Sequence, residues 1–199
     1  MILKDEYRET TIINKSRFLA CCMPCSTEEK ARFYIDMIRE EFPDASHVCT
    51  AYSIGNIQRS NDNKEPAGTA GIPILESIKK SGLDQVCVCV VRWFGSIKLG
   101  AGGLVRAYGG CTADALAHAP KAVEVQHSLW EVRYPYILSG AMESALYRTF
   151  LNVQTEYGDE AVSTFEADEN QNVPDLIRDI SRGQAVPVFL EYITAYRDL

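Results

Sequence analysis

No stretch of this sequence approaches the roughly 18 consecutive apolar residues of a membrane-spanning helix, and the opening MILKDEYRE lacks the charged-then-apolar profile of a secretory signal. Both absences predict a cytoplasmic protein with no membrane partner. An even set of cysteines is also missing. The seven present (Cys21, Cys22, Cys25, Cys49, Cys87, Cys89 and Cys111) are an odd number in a chain long enough to fold without staples, which favours reduced thiols over a disulfide framework. There is no internal repeat or low-complexity tract, and 46% apolar with 24% charged residues is ordinary globular composition. Net positive charge is lacking too: the chain carries −7, which argues against a general polyanion binder. The acidity is uneven, however. Residues 1–118 hold fourteen Lys+Arg against fourteen Asp+Glu, and residues 119–199 hold six against thirteen, so electrostatics would bring a phosphate backbone to the first part of the chain.

Periodicity predicts an α+β protein of two domains, 1–119 and 123–199. Tyr7–Ile13 and Phe18–Met23 read as a hairpin turning at Asn14–Ser16. Ser26-Thr-Glu-Glu29 has the form of a capping box ahead of a helix from about Thr27 to Glu41. His47–Ile54 reads as a strand, Gly55–Gly71 as a long polar loop, Ile72–Lys80 as a short helix and Val86–Val91 as a central strand. A helix opening near Gly102-Gly103 runs to Ala119, and Pro120-Lys-Ala reads as a linker. Beyond it come a strand (Val123–Tyr134), a helix (about Ser139–Leu151), a hairpin through Gly158-Asp159, a helix (about Pro174–Arg182) and a strand (Val186–Ile193). That β-α-β-β-α-β order predicts a ferredoxin-like sandwich.

Residues 91–110, VRWFGSIKLGAGGLVRAYGG, hold six glycines, the cations Arg92, Lys98 and Arg106, and no acid. A strand running through a glycine loop into a helix presents unpaired first-turn N–H groups and a positive dipole end, which together suit an anion. Gly102 and Gly103 would bare the backbone, and the three cations would line the rim. Alternatively, the glycines only let the helix pack flush on the sheet. The order G-x-x-x-x-G-K-[ST] is absent, so no nucleotide fingerprint is met. Trp93, Phe94 and Tyr108 are candidates either for stacking on bases or for core positions. Cys22-Met-Pro-Cys25 has the spacing of a dithiol redox motif, and a zinc set of Cys22, Cys25, His47 and Cys49 would need neighbouring strands. Neither role is favoured, and Cys87 and Cys89, on one face of the apolar strand, read as core. No cofactor or metal is expected.

NDNKEPAGTAGIPIL (61–75) followed by VVRWFGSIKLGAGGLVRAY (90–108) resembles the paired signature of the IMPACT/YigZ family. The likeness extends back to Lys15-Ser-Arg-Phe18, Ala45-Ser-His47, Ala51-Tyr52 and Ile54-Gly55. It implies an N-terminal domain of the ribosomal protein S5 domain 2 type and a C-terminal domain like one of the translocation elongation factor. It adds Arg17, His47, Glu65 and Thr69 as candidate cleft residues beside Arg92, Lys98, Gly102, Gly103 and Arg106. Eukaryotic members restrain a translation-control kinase through an extra domain placed before the shared one. Only a few residues stand there in this sequence, so the expectation is the looser one: a role in translation, with RNA or a ribosome-associated protein as partner. The alternative is an enzyme or sensor for a small phosphorylated ligand at the same helix start. Two departures stand out. The usual D-D-G-E-P is Asp62-Asn63-Lys64-Glu65-Pro66 here, and the usual R-Y-F-G-G is Arg92-Trp93-Phe94-Gly95-Ser96. The first leaves a poor hard-cation site, since such ions take several oxygen ligands.

Overall fold

A computed structural model describes residues 1–199. The chain divides into one unit of Met1–Val123 with Asp198–Leu199 and a second of Glu124–Arg197. The first unit holds fifteen Lys+Arg against fifteen Asp+Glu, the second five against twelve. The whole net charge therefore belongs to the second.

In the first unit a short strand β1 (Ile2–Leu3) precedes the hairpin β2 (Tyr7–Ile13) and β3 (Ser16–Pro24), whose turn uses Asn14 and Lys15 at φ 45° and 65°. Helix α1 (Glu28–Glu41) follows. Its cap is Thr27, whose hydroxyl accepts from Lys30 N at 3.2 Å, one residue later than the Ser26 the sequence suggested. Glu28 and Glu29 then sit against the positive helix end, and Pro43 follows the last turn. Next come β4 (His47–Ile54), β5 (Ile57–Asn61), α2 (Gly71–Ser81), β6 (Val86–Trp93) and α3 (Gly100–His118). The antiparallel sheet has the order β2-β3-β6-β4-β5. The apolar run of β6 is central because both its faces are covered. Val86, Val88 and Val90 pack with α2 and α3, while Cys87, Cys89 and Val91 pack with α1.

Three sequence expectations are corrected. Gly55–Gly71 is not all loop, since Ile57–Asn61 pairs with Thr50–Ile54 as the edge strand β5; its five side chains are all exposed, which hid it from any alternation test. Helix α3 begins at Gly100, which takes φ 70°, rather than at Gly102-Gly103. Pro120-Lys-Ala is not a linker. Lys121 opens a 14-residue strand, β7 (Lys121–Tyr134), and β1 pairs with its first residues, Ile2 opposite Ala122.

The second unit continues along β7 with α4 (Ser139–Thr149), β8 (Leu151–Tyr157), β9 (Ala161–Asp168), α5 (Val173–Ser181) and β10 (Pro187–Asp198). Its strands run in the order β10-β7-β9-β8. Val132, Tyr134 and Phe165 of the sheet meet Met142 and Leu146 of α4 and Ile177 of α5 in one core. Asn172 caps α5 by accepting from Asp175 N. No helix of the chain is long and apolar enough to cross a membrane.

Candidate functional site

Strand pairing sets a row across the first unit's sheet. Arg92 of β6 lies opposite Phe18 of β3 and His47 of β4, and Arg17 lies opposite Trp93. Alternation then separates them. Phe18, His47 and Arg92 share the α2/α3 face, and Arg17 and Trp93 share the α1 face. There the Arg17 guanidinium stacks 3.6 Å from the Trp93 ring centroid, and Trp93 meets Phe42 edge-on at 5.4 Å. Arg17 is thus excluded from any cleft containing Arg92.

Arg92 is not a rim cation. Its side chain is 5% exposed and pairs through Nη1 with Glu65 Oε1, itself on a side chain 4% exposed. The guanidinium lies 5.5 Å from both the Phe18 and Phe94 rings. The same Glu65 oxygen accepts from the Tyr108 hydroxyl at 2.7 Å, and His47 Nε2 stands 3.9 Å from it. His47 Nδ1 donates to the Asn63 carbonyl at 2.9 Å, which turns Nε2 toward Glu65. Burial pushes the Tyr108 hydroxyl well above its ordinary pKa, with Cys49 and Glu65 adding to it, so it stays a donor. Cys49, pushed up to about 12 by burial, donates to the Asp62 carbonyl at 3.0 Å, and its sulfur lies 3.4 Å from the Tyr108 hydroxyl. Arg92 Nε is buried without a partner. These groups hold residues 62–71 against β4, β6 and α3. Tyr108 is fully buried, edge-on to Phe18 at 5.3 Å, and is no stacking platform for a base.

Asp62 shapes that loop. Its carboxylate accepts from Gly68 N (2.8 Å), Ala70 N (3.0 Å) and Gly71 N (2.8 Å). Burial acts to raise its pKa, but the three N–H groups outweigh it and the net shift is downward. The start of α2 is therefore filled by the chain's own anion. Gly71 is required there, since a Cβ would lie 2.7 Å from Asn61 N. The Thr69 hydroxyl is turned inward to the Pro66 carbonyl at 2.6 Å and serves the turn. Asn63 offers its backbone to His47, so the carboxylate missing at this position relative to D-D-G-E-P costs the network nothing. Lys64, standing where that pattern has glycine, is left-handed at φ 69°.

The start of α3 is different. Leu99 provides no side-chain cap, and no acid occupies the first turn. Gly100 and Gly102 are exposed, and a Cβ at either would find open space or only the far end of Arg106, whose Nη1 reaches back to 3.7 Å. Lys98 and Arg106 are exposed, with Phe94 and Ile97 exposed beside them in sequence. Gly103 instead serves packing, its Cβ position 3.0 Å from Leu99 Cβ, and so does Gly95 against Lys15, whereas a Cβ at Gly109 would make ordinary contact with Pro73 and Ser77. The nine sequence candidates thus separate into His47, Glu65 and Arg92 with Thr69 under the loop, Lys98, Gly102, Gly103 and Arg106 at the helix start, and Arg17 alone. Sequence reasoning missed Asp62 and Tyr108 as parts of the network; both lie inside the quoted motifs, but only folding joins them. Cys22 and Cys25 fall in different cores on opposite sheet faces, so neither the dithiol nor the zinc set assembles.

The Impact N-terminal domain model matches residues 14–116. The Bacillus subtilis IMPACT family member YvyE is 38% identical over 161 residues, 79% of this chain and 74% of that one. An IMPACT family member from Thermus thermophilus is 44% identical over 151 residues, 76% and 83% of the two chains. A crystal structure described as that of a hypothetical protein aligns over 96% of both chains with TM-score 0.58 and 28% identity. The buried Glu65–Arg92 pair and the glycine-rich start of α3 both fall within the matched segment, and the chain belongs to the IMPACT family.

Proposed function

We propose that this chain is a translation-associated regulatory or binding protein of the cytoplasm that contacts RNA, the ribosome or a translation factor through the surface around the start of α3. One observation carries the reading: a helix N-terminus with no capping side chain and no acid, exposed glycines at its first turn, and exposed Lys98 and Arg106 beside it. Free N–H groups and cations suit phosphate oxygens, and exposed Phe94 and Ile97 extend the surface toward bases or an apolar partner. Arg92 has no part in the contact. Its role is to fix the strand from which the glycine loop departs. The order β10-β7-β9-β8 supports a ferredoxin-like second domain, and we infer an S5 domain 2-like first one, with the boundary between 119 and 123. The acidic second domain would be held away from a phosphate backbone.

The test is cosedimentation of the full chain with ribosomes, before and after ribonuclease, and RNA binding as a function of salt. The variant Lys98→Ala/Arg106→Ala is expected to weaken association and to flatten the salt dependence by roughly 0.7 in log–log slope for each single-strand phosphate that is no longer neutralised. Association unchanged in that variant removes the α3 surface as the binding face. Thermal stabilisation by nucleotides or sugar phosphates, without RNA binding, assigns the same helix start to a small phosphorylated ligand instead.

A further inference from the structure

Helices α2 and α3 leave an open groove of about 730 Å³ between them on the outer side of the first unit. Its walls are exposed Ile72 of α2 and exposed Val105 of α3, and its floor is Gly109, Gly110, Ala113 and Leu116. Gly109 is already in contact within the fold, since Ser77 Oγ donates to its carbonyl at 2.9 Å and a Cβ there would touch Ser77 and Pro73 at 3.6 and 3.7 Å. Gly110 is not. It lies in the interior of a 19-residue helix, where glycine is less favourable than alanine, and a Cβ there would meet nothing within 4 Å. The fold of this chain has no use for the missing side chain, whereas a second backbone lying along the groove would.

Charge identifies the occupant. Lys80, Arg106 and Lys121 border the groove, and its one carboxylate, Glu76, is already paired with Lys79 at 3.2 Å. Lys121 closes the end of α3 by donating to the Ala117 and Ala119 carbonyls at 2.8 and 3.1 Å, which places its charge at the groove's far end. Val105 to Ala117 spans about 18 Å of helix at 1.5 Å per residue. We infer that this groove docks a single amphipathic helix of a partner protein, of about three to four turns, with an apolar face on Ile72, Val105 and Ala113 and acidic residues along its flanks. The cations then meet its charges at the rim while the small residues admit its backbone closely. This docking surface shares Arg106 with the one proposed at the start of α3, but the groove variants below leave that residue in place, so either can fail alone.

A phage-displayed library of 14-residue helices, with leucine fixed on one face and the flanks randomised among Glu, Gln and Lys, is panned against the full chain and the winners are synthesised. Acidic winners are expected, with affinity falling as salt rises. Ala113→Arg, at an exposed position, is expected to weaken them at least tenfold, and Lys80→Glu to weaken them severalfold; the second variant decides the matter should the first unfold. Phe33→Asp, on the exposed apolar side of α1, is expected to change nothing. Basic winners, no winners, or binding indifferent to both groove variants overturn the inference. So does loss of binding in Phe33→Asp, which places the peptide elsewhere. Self-association of the wild-type chain that Ala113→Arg abolishes assigns the groove to a second copy and overturns it as well.

Discussion

Removing the Glu65 carboxylate tests whether the interior network holds the first unit together. Both side chains of the Glu65–Arg92 pair are about 95% buried, the Arg92 guanidinium is hemmed by two aromatic rings, and its Nε already lacks a partner. Glu65→Ala therefore leaves a buried cation with nothing to neutralise it, at a cost of about 3–5 kcal/mol. Tyr108 is also deprived of its 2.7 Å acceptor, part of the same penalty rather than an addition to it. For a chain of this size the melting temperature should fall by roughly 10–15 °C. The assay is urea unfolding followed by tryptophan fluorescence in a Trp130→Phe background, so that Trp93 reports on the first unit alone. Replacing both partners, Glu65→Leu with Arg92→Met, should recover most of the stability, because a well-packed apolar pair avoids the desolvation of two charges. A Glu65→Ala cost below about 1 kcal/mol would refute the argument, as would a double variant as unstable as the two single variants' deficits combined, since either outcome means that the charges are solvated and uncoupled.

Lys64 is held left-handed at φ 69°, so Lys64→Gly should raise stability by about 1 kcal/mol in the same urea assay; a decrease would mean that its side chain makes an interaction that outweighs the strain. All seven thiols are buried, and burial raises Cys21, Cys49 and Cys111 to about 12; a hydrogen bond with Cys87, followed by burial, raises Cys25 further. The native chain at pH 8 should therefore react with a thiol-specific disulfide reagent far more slowly than the urea-unfolded chain, and prompt labelling at Cys22 or Cys25 would restore the redox reading. The folded pKa of Asp62 lies below its ordinary 3.8, so the stability it supplies is present above that value and disappears as pH falls through the folded pKa. Asp62→Asn should flatten the acid limb of the pH–stability curve below about pH 4; an unchanged limb would show that Asp62 does not govern it.

Most of the fold was legible because the patterns that encode it are local. The capped stripe of α1 (Ala31, Ile35, Ile38), the six apolar residues of β6 and the β-α-β-β-α-β order after residue 120 each depend on neighbours a few residues away. Strand β5 was not legible, because an edge strand with every side chain in solvent carries no period. The linker at Pro120 was misread for a related reason. A proline before a strand breaks a helix and a linker alike, and only the pairing of residues 2–3, more than a hundred positions upstream, makes Lys121 and Ala122 part of a sheet.

The candidate site divides along the same line. Counting three cations and no acid between residues 91 and 110 treated charge as a property of a segment, but a charge is free only if nothing elsewhere in the fold claims it. Glu65 lies 27 residues before Arg92 in sequence and directly against it in space, so the segment's apparent excess is smaller by one. What survives is what the fold leaves uncommitted: Lys98 and Arg106 in solvent, and the glycines whose Cβ positions are open. Packing accounts for Gly95 and Gly103, the left-handed turn into α3 accounts for Gly100, and a Cβ at Gly109 would already touch Pro73 and Ser77. Gly102 and Gly110 answer to neither requirement. Gly102 lies at the proposed phosphate-facing start of α3 and Gly110 at the floor of the α2–α3 groove, so the residues the fold does not need mark the two surfaces on which a partner is proposed to lie.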